Sequence, residues 1–198
     1  LTLFADRNVS REIFGWTMPA SMTQFFNPAF IIIFGSIFSV MWVKLDQLGK
    51  NPSIPMKFAL GILQLGAGFL ITLLGLQFAN EEAMVPLLTL VFLYLLHTTG
   101  ELFLSPIGLS MVTKLSPKSM AGTAMGGWFL SFAIANYAGG LIASLTGGHG
   151  DSGEEVTAAA GLVKYTDVFA TIGWTCVGIA VLIALLNKPL NKLMHGVK

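Results

Sequence analysis

Five long apolar stretches constrain this chain more than any other feature of its sequence. A helix rises about 1.5 Å per residue, so about 20 mostly apolar residues cross the ~30 Å hydrocarbon layer of a bilayer. Stretches of this kind lie at about residues 20–43, 56–78, 85–112, 121–145 and 168–186. Turn residues or charges separate them, and no interval is long enough for a soluble domain. The sequence therefore predicts an all-α membrane protein with five complete transmembrane helices.

The composition excludes several classes of protein. Of the 198 residues, 54% are hydrophobic and 11% are charged, and the mean hydropathy is +0.74. Soluble domains carry about 25% charged residues, so a cytosolic enzyme or a disordered tail is a poor interpretation. The net charge of +1 gives no basic field for nucleic acid, and the lipid bilayer is the expected partner. The single cysteine, Cys176, excludes an internal disulfide.

Lysines between the spans orient the predicted helices, because short cytoplasmic loops are enriched in Lys and Arg. Lysines follow the first, third and fifth spans: Lys44, Lys50, Lys57, Lys114, Lys118, Lys188, Lys192 and Lys198. The other connections carry mainly acids: Glu81, Glu82, Asp151, Glu154, Glu155 and Asp167. The C-terminus is therefore expected in the cytoplasm and the start of the chain outside. An outside start without a visible signal peptide predicts one more helix before Leu1, and a six-helix unit is half of a twelve-helix secondary transporter.

Glu101 is the most informative polar residue, because it lies inside the third span. A charged side chain near the centre of a membrane helix costs roughly 2.5 to 3.5 kcal/mol on insertion scales, so it must face protein or water. Helical spacing places it on one stripe with five neighbours: Tyr94, His97, Thr98, Ser105 and Gly108. The stripe is a candidate cavity lining for a ligand or proton. The alternative is an internal hydrogen-bond network with a protonated Glu101.

Two neighbours of Glu101 allow more than one interpretation. His97 lies one turn before it and is a candidate acid, base or metal ligand, but no further acidic or histidine cluster supplies the remaining ligands. A packing histidine with satisfied nitrogens is the simpler interpretation. Pro106 removes a backbone hydrogen bond just beyond Glu101, which predicts either a gating kink or a static bend.

The first and fourth spans contribute further candidates. Gln24 and Asn27 face the same way beside Pro28, so their amides are suited to a polar ligand or to hydrogen bonds between helices. In the fourth span, Gly122 and Gly126 form a G-x-x-x-G motif, which is typical of close helix packing. Four glycines in the second span, Gly61, Gly66, Gly68 and Gly75, indicate tight packing in the same way.

Trp128 and Phe129 lie deeper in the fourth span than an interfacial aromatic belt requires. They are candidates for a pocket wall, with core or lipid-facing aromatics as the alternative.

Five ordered motifs resemble one known family. They are TLFADRNV at 2–9, the segment Pro19–Phe30, PMKFALG at 55–61, GELFLSPIGLS with VTKLSP at 100–117, and Met125–Tyr137. They resemble the end of helix seven and helices eight to eleven of the proton-dependent oligopeptide transporters, members of the major facilitator superfamily. The resemblance covers nearly the whole chain as the C-terminal six-helix half, from the end of helix seven through helix twelve.

The resemblance implies proton-coupled import of di- and tripeptides by alternating access across a bacterial inner membrane. Protons are the implied coupling ion, without a metal or other cofactor. In that family the residue matching Glu101 receives the peptide's amino terminus, Asn27 matches an asparagine that binds the peptide backbone, and Ser105 matches a pocket serine. Trp128 and Phe129 match aromatics of side-chain pockets. The helices of the third and fourth spans, with Pro106 and Gly126, match an intracellular gate.

The sequence departs from the family pattern in two respects. Met22 and Thr23 stand where members often carry bulkier aromatic residues. The N-terminal half, with its E-x-x-E-R motif and its basic residues for the peptide carboxylate, is not in this chain, so the chain alone is not expected to transport. The alternatives are a related transporter for nitrate or peptide-like drugs, a membrane-embedded enzyme that uses His97 and Glu101, and a structural scaffold.

Overall fold

The computed structural model describes residues 1–146 and 158–194, and most of these residues are helical. Seven α-helices follow one another along them: α1 Thr2–Asn8, α2 Phe26–Gln47, α3 Ile54–Leu76, α4 Leu87–Leu115, α5 Ala121–Thr146, α6 Ala158–Leu185 and α7 Asn187–Leu193. A 3₁₀ helix, Ala20–Phe25, precedes α2, and four short strands complete the described residues: β1 Val9–Ser10, β2 Glu12–Ile13, β3 Trp16–Thr17 and β4 Val85–Pro86. Asp151, Glu154, Glu155 and Lys198, which helped to orient the helices, lie outside the described residues.

One helix, α6, begins well before the apolar stretch that predicted it. Helix α6 begins at Ala158 instead of near 168, because Leu162 and Tyr165 are buried in the core ahead of the apolar window. Four described segments are long and apolar enough to cross a membrane: Ala20–Gln47, Ile54–Leu76, Leu87–Leu115 and Ala158–Leu185. Helix α5 corresponds to the predicted span 121–145 and is not among these four, for which only the described residues were considered.

Helix α3 lies between α4 and α6 and touches both at glycines. A Cβ atom on Gly61 would lie 2.9 Å from the carbonyl oxygen of Gly100 on α4. A Cβ atom on Gly66 would lie 2.8 Å from the carbonyl oxygen of Gly173 on α6. Such distances leave no room for a side chain, so the backbones themselves are in contact. The tight packing predicted from the glycines of α3 is confirmed.

An apolar core closes one end of the bundle. Phe4 of α1 is 1% exposed and packs edge-on against Tyr165 and Phe169 of α6, with ring centroids 5.7 and 5.3 Å away. Asn8 is fully buried beside them, and its Nδ2 donates to the carbonyl oxygens of Ala83 at 3.2 Å and Ala158 at 2.9 Å. Strand β1 continues from α1 and pairs in parallel with β4. These contacts tie the start of the chain to α4 and α6.

Lys57 lies at the other end of α3. It was counted from the sequence among the lysines that follow the first span, but it is part of a helix and not of a loop. It lies in the first turn of α3, is 7% exposed, and its Nζ lies 4.5 Å from the ring centroid of Trp42 on α2. Phe103 of α4 packs edge-on against the same indole at 5.0 Å. A cation over an aromatic face is stabilising, so this contact joins α2, α3 and α4.

A methyl group at Gly61 tests the contact between α3 and α4. In the Gly61→Ala variant the added Cβ atom would meet Leu104 at 2.8 Å as well as the Gly100 carbonyl, so the helices must separate. Overpacking of this kind typically lowers the free energy of unfolding by about 1–3 kcal/mol. We expect a lower midpoint of thermal unfolding in detergent.

Gly178→Ala on α6 is the matched control for this variant, because nothing lies within 4 Å of its Cβ position. Alanine has the higher helix propensity, so the control is expected to unfold at the same or a slightly higher temperature. Equal midpoints for the two variants would contradict the close contact at Gly61.

Candidate ligand-binding site

A cavity of about 810 Å³ opens beside α4. The start of the chain, the 3₁₀ helix, α2, α3 and α4 all contribute to its wall. Its lining residues are Leu1, Gln24, Phe25, Asn27, Pro28, Leu65, Tyr94, His97, Gly100, Glu101, Leu104 and Ser105. Three residues that the sequence marked as ligand-binding, Asn27, Glu101 and Ser105, are therefore together on one surface. The volume is within the range typical of small-molecule sites, about 300–1,000 Å³.

Asn27 connects α2 to the polar stripe of α4. Its Nδ2 donates to the hydroxyl oxygen of Thr98 at 3.2 Å and lies 3.4 Å from Oε2 of Glu101. Thr98 is fully buried, whereas Glu101 is exposed on the cavity side. Because the amide nitrogen of Asn27 is occupied, its carbonyl oxygen is left as an acceptor for a ligand. Gln24, also in the wall, donates to the hydroxyl of Thr2 at 2.8 Å.

Glu101 is the one charged side chain among the described lining residues. No Lys or Arg of residues 1–146 and 158–194 forms an ion pair with it, and Arg11 pairs elsewhere, with Asp6 at 2.9 Å. A carboxylate among mostly apolar groups attracts a cation more strongly than it does in bulk water. The cavity therefore favours a ligand with a positively charged group.

His97 lies at the inner wall of the same cavity. Its ring packs edge-on against Phe69 of α3, with centroids 4.5 Å apart, and its Nε2 is buried without a hydrogen-bond partner. The ring therefore packs as predicted, but the expectation that both nitrogens are satisfied is wrong. Among the side chains that the structure describes, no three His, Cys, Asp or Glu residues come together as a metal site.

The rest of the predicted stripe on α4 divides between the cavity and the protein interior. Tyr94 and Ser105 line the cavity, and Thr98 lies behind it on Asn27. Gly108 is covered by Trp128 of α5, whose Cη2 atom lies 2.2 Å from the position of a Cβ atom. Helix α4 continues through Pro106 to Leu115.

Helix α5 contributes no residue to the cavity wall in the described structure. Trp128 packs on α4, and Phe129 is 58% exposed, with Phe132 at 6.3 Å between ring centroids. Nothing within the described residues lies within 4 Å of the Cβ positions of Gly122 and Gly126. The backbone contact expected at the G-x-x-x-G motif is therefore not made by these residues, because the motif faces away from α4. The pocket role of Trp128 and Phe129 stays a prediction.

Sequence reasoning missed the apolar part of the wall. Leu65 of α3 and Leu104 of α4 both line the cavity, but a leucine in an apolar span carries no signal of its own. Gly100 also lines the cavity, at the point where α3 and α4 touch. Only the packing of the helices identifies these residues.

These features define the class of protein. Membrane-capable helices line a largely apolar cavity with one acidic side chain among its described residues, and the polar residues of its wall come from several helices. Ligand sites of this kind are typical of secondary transporters.

The model of the POT family, PTR2, matches residues 1–158, which is most of the chain. The chain therefore belongs to the POT family. It is 36% identical over 196 residues to the dipeptide and tripeptide permease A of Edwardsiella piscicida, and the match covers 99% of this chain and 39% of that relative. It is 37% identical over 193 residues to the dipeptide and tripeptide permease A of Salmonella typhimurium, and the match covers 98% of this chain and 37% of that relative.

Solved structures agree with this membership. A crystal structure of a peptide transporter POT in complex with sulfate has a TM-score of 0.75 and 30% identity, and the match covers 99% of this chain and 36% of that chain. A structure of a POT variant in complex with alafosfalin has a TM-score of 0.74 and 30% identity, covering 98% of this chain and 37% of that chain. The chain thus spans less than two fifths of the length of these relatives.

The contact between Trp128 and Gly108 is testable by fluorescence. In a background with Trp16, Trp42 and Trp174 replaced by Phe, only Trp128 emits. Gly108→Ala is expected to displace the indole, because the added methyl would overlap its ring at 2.2 Å. The measurement is acrylamide quenching, and we expect a larger quenching constant for the Gly108→Ala variant.

Gly126→Ala is the control and should leave quenching unchanged, because nothing among the described residues lies within 4 Å of its Cβ position. Equal quenching in both variants would contradict the contact.

Proposed function

We propose that this chain is the C-terminal half of a proton-coupled symporter that imports di- and tripeptides by alternating access. The observation that carries the proposal is the position of Glu101. Its carboxylate forms no ion pair with a described residue, and it is the one charged side chain among the described residues that line the cavity. Its relatives are named dipeptide and tripeptide permeases, which supports the same substrate class.

The geometry suits the amino end of a peptide. The ammonium group has three donors, and Glu101 and the free carbonyl oxygen of Asn27 provide acceptors on two different helices. Ser105 lies one turn after Glu101 in the same wall and provides a hydroxyl. The apolar remainder of the wall, including Leu65 and Leu104, would exclude water from the ion pair once the open side of the cavity is closed, and this exclusion strengthens the pair.

The same carboxylate accounts for coupling to protons. A proton on Glu101 removes the charge that holds the ammonium group, so the occupied and the protonated states compete. Competition at one site alone would give exchange, so symport requires that the proton crosses together with the bound peptide and reaches Glu101 only on the inner side, where it releases the peptide. We therefore propose protons as the coupling ion, without a metal or other cofactor.

The proposed partner of this chain is the N-terminal half of the same transporter. A peptide also has a carboxylate, and the described cavity wall has no lysine or arginine side chain to bind it. The N-terminal half is proposed to supply that basic group and to close the open side of the cavity. Trp128 and Phe129 are then proposed to wall side-chain pockets, and Pro106 and Gly126 to belong to an intracellular gate.

We propose a location in the bacterial inner membrane, with the C-terminus in the cytoplasm and the start of the chain in the periplasm. The lysines at the ends of α2 and α4, Lys44 and Lys114, support this orientation. Peptide-like compounds are further proposed ligands, since a similar structure holds alafosfalin. Competition of labelled dipeptide uptake by alafosfalin and by nitrate separates these substrate classes.

Uptake by the full-length transporter tests the role of Glu101. Under an inward proton gradient in proteoliposomes, Glu101→Gln is expected to reduce accumulation of a labelled dipeptide at least about tenfold, because the variant keeps the shape but loses the charge. Glu82→Gln is the matched control, since Glu82 is an exposed acid between α3 and β4. Normal accumulation by Glu101→Gln would overturn the proposal.

A further inference from the structure

A notch on α3 holds the imidazole of His97. A Cβ atom on Gly68 would lie 2.4 Å from Cδ2 and 2.8 Å from Nε2 of His97. The same Cβ atom would lie 3.3 Å from the carbonyl oxygen of Leu93 on α4. Any residue other than glycine at this position would push the imidazole out. Gly68 and His97 are therefore matched in size across the contact between α3 and α4.

Shape holds His97 in this notch more than hydrogen bonding does. Phe69 packs on the ring at 4.5 Å between centroids. The Nε2 atom of His97 is buried without a hydrogen-bond partner among the described residues. A buried polar atom without a hydrogen-bond partner is unfavourable. An imidazole released from the notch would regain hydrogen bonds, so the notch must fit closely to retain it.

The open space beside His97 is the cavity that Glu101 also lines. Both residues line the same cavity, and Glu101 follows His97 by four residues on the same face of α4. A displaced imidazole would lie beside the carboxylate and could donate a hydrogen bond to it. It would then occupy the place proposed for the ammonium group of the ligand.

We propose that Gly68 and His97 together set the depth of the cavity beside Glu101, and with it the size of the first side chain that a peptide ligand can have. This inference rests on the proposed function, in which Glu101 receives the amino terminus. The first side chain of a peptide is attached to the carbon next to that amino group. The wall one turn from Glu101, which is His97, therefore limits the space for it.

Uptake with two peptide probes in the full-length transporter tests the inference. The probes are alanyl-alanine and phenylalanyl-alanine, which differ only in the first side chain. His97→Ala removes the floor of the cavity, so we expect the uptake ratio of the phenylalanyl to the alanyl peptide to rise by about tenfold, the scale of size discrimination in apolar pockets. Gly68→Ala is expected to reduce uptake of both peptides by about tenfold, because the released imidazole blocks Glu101.

The double variant Gly68→Ala with His97→Ala separates blocking from a general packing defect. If the imidazole is the blocking group, the double variant should behave like His97→Ala within about twofold, since no ring remains to be displaced. Gly178→Ala is the control for an added methyl with no neighbour. Should Gly68→Ala fail to fold, as seen by loss of its thermal transition, the uptake ratio of His97→Ala decides alone.

The outcomes distinguish this inference from the proposed function. An unchanged uptake ratio in His97→Ala, together with loss of uptake in Glu101→Gln, would overturn the role of the notch and leave the proposed function in place. Failure of the double variant to recover from Gly68→Ala would also overturn it. Normal uptake in Glu101→Gln would overturn the proposed function itself.

Discussion

The site depends on one constraint: the carboxylate of Glu101 lies in a largely apolar cavity wall. Glu101 has no cationic partner among the described residues, and its nearest donor is the neutral amide of Asn27. A neutral donor orients the carboxylate without cancelling its charge, so the attraction for a cationic ligand is kept. Thr98, fully buried behind Asn27, holds the amide in place. The polar contacts between α2 and α4 thus hold the Glu101 carboxylate, a charged group that is unfavourable in the hydrocarbon of a membrane.

The distribution of glycines divides the bundle into two parts. On α3, Gly61, Gly66 and Gly68 each meet a neighbouring helix within 3 Å of a Cβ position, which makes α3, α4 and α6 a closely packed unit. On α5, Gly122 and Gly126 meet nothing within 4 Å, and the helix contacts α4 through the indole of Trp128. The helices that carry most of the cavity wall are therefore held by backbone contacts, whereas the described contact of α5 with α4 at Gly108 is made by a side chain.

Sequence reasoning identified the polar residues of the site and missed its shape. Glu101, Asn27 and Ser105 were marked because a polar group in an apolar span is unusual and must be compensated. Leu65 carried no such signal, and Gly68 was assigned only to tight packing. His97 was recognised as polar, but its notch on α3 and its unpartnered Nε2 depend on a residue 29 positions away in the chain. Hydropathy along one segment contains no information about such a contact.

The sequence by itself determined that the chain forms membrane-capable helices and which helix carries the acidic group, because both follow from local hydropathy and helical periodicity. Its ordered motifs also indicated the family. Only the tertiary structure decided which face of α3 meets α4, that His97 lies in the Gly68 notch, and that Trp128 covers Gly108 instead of lining the cavity. These features depend on the registers and distances between helices, which steric fit among distant residues sets.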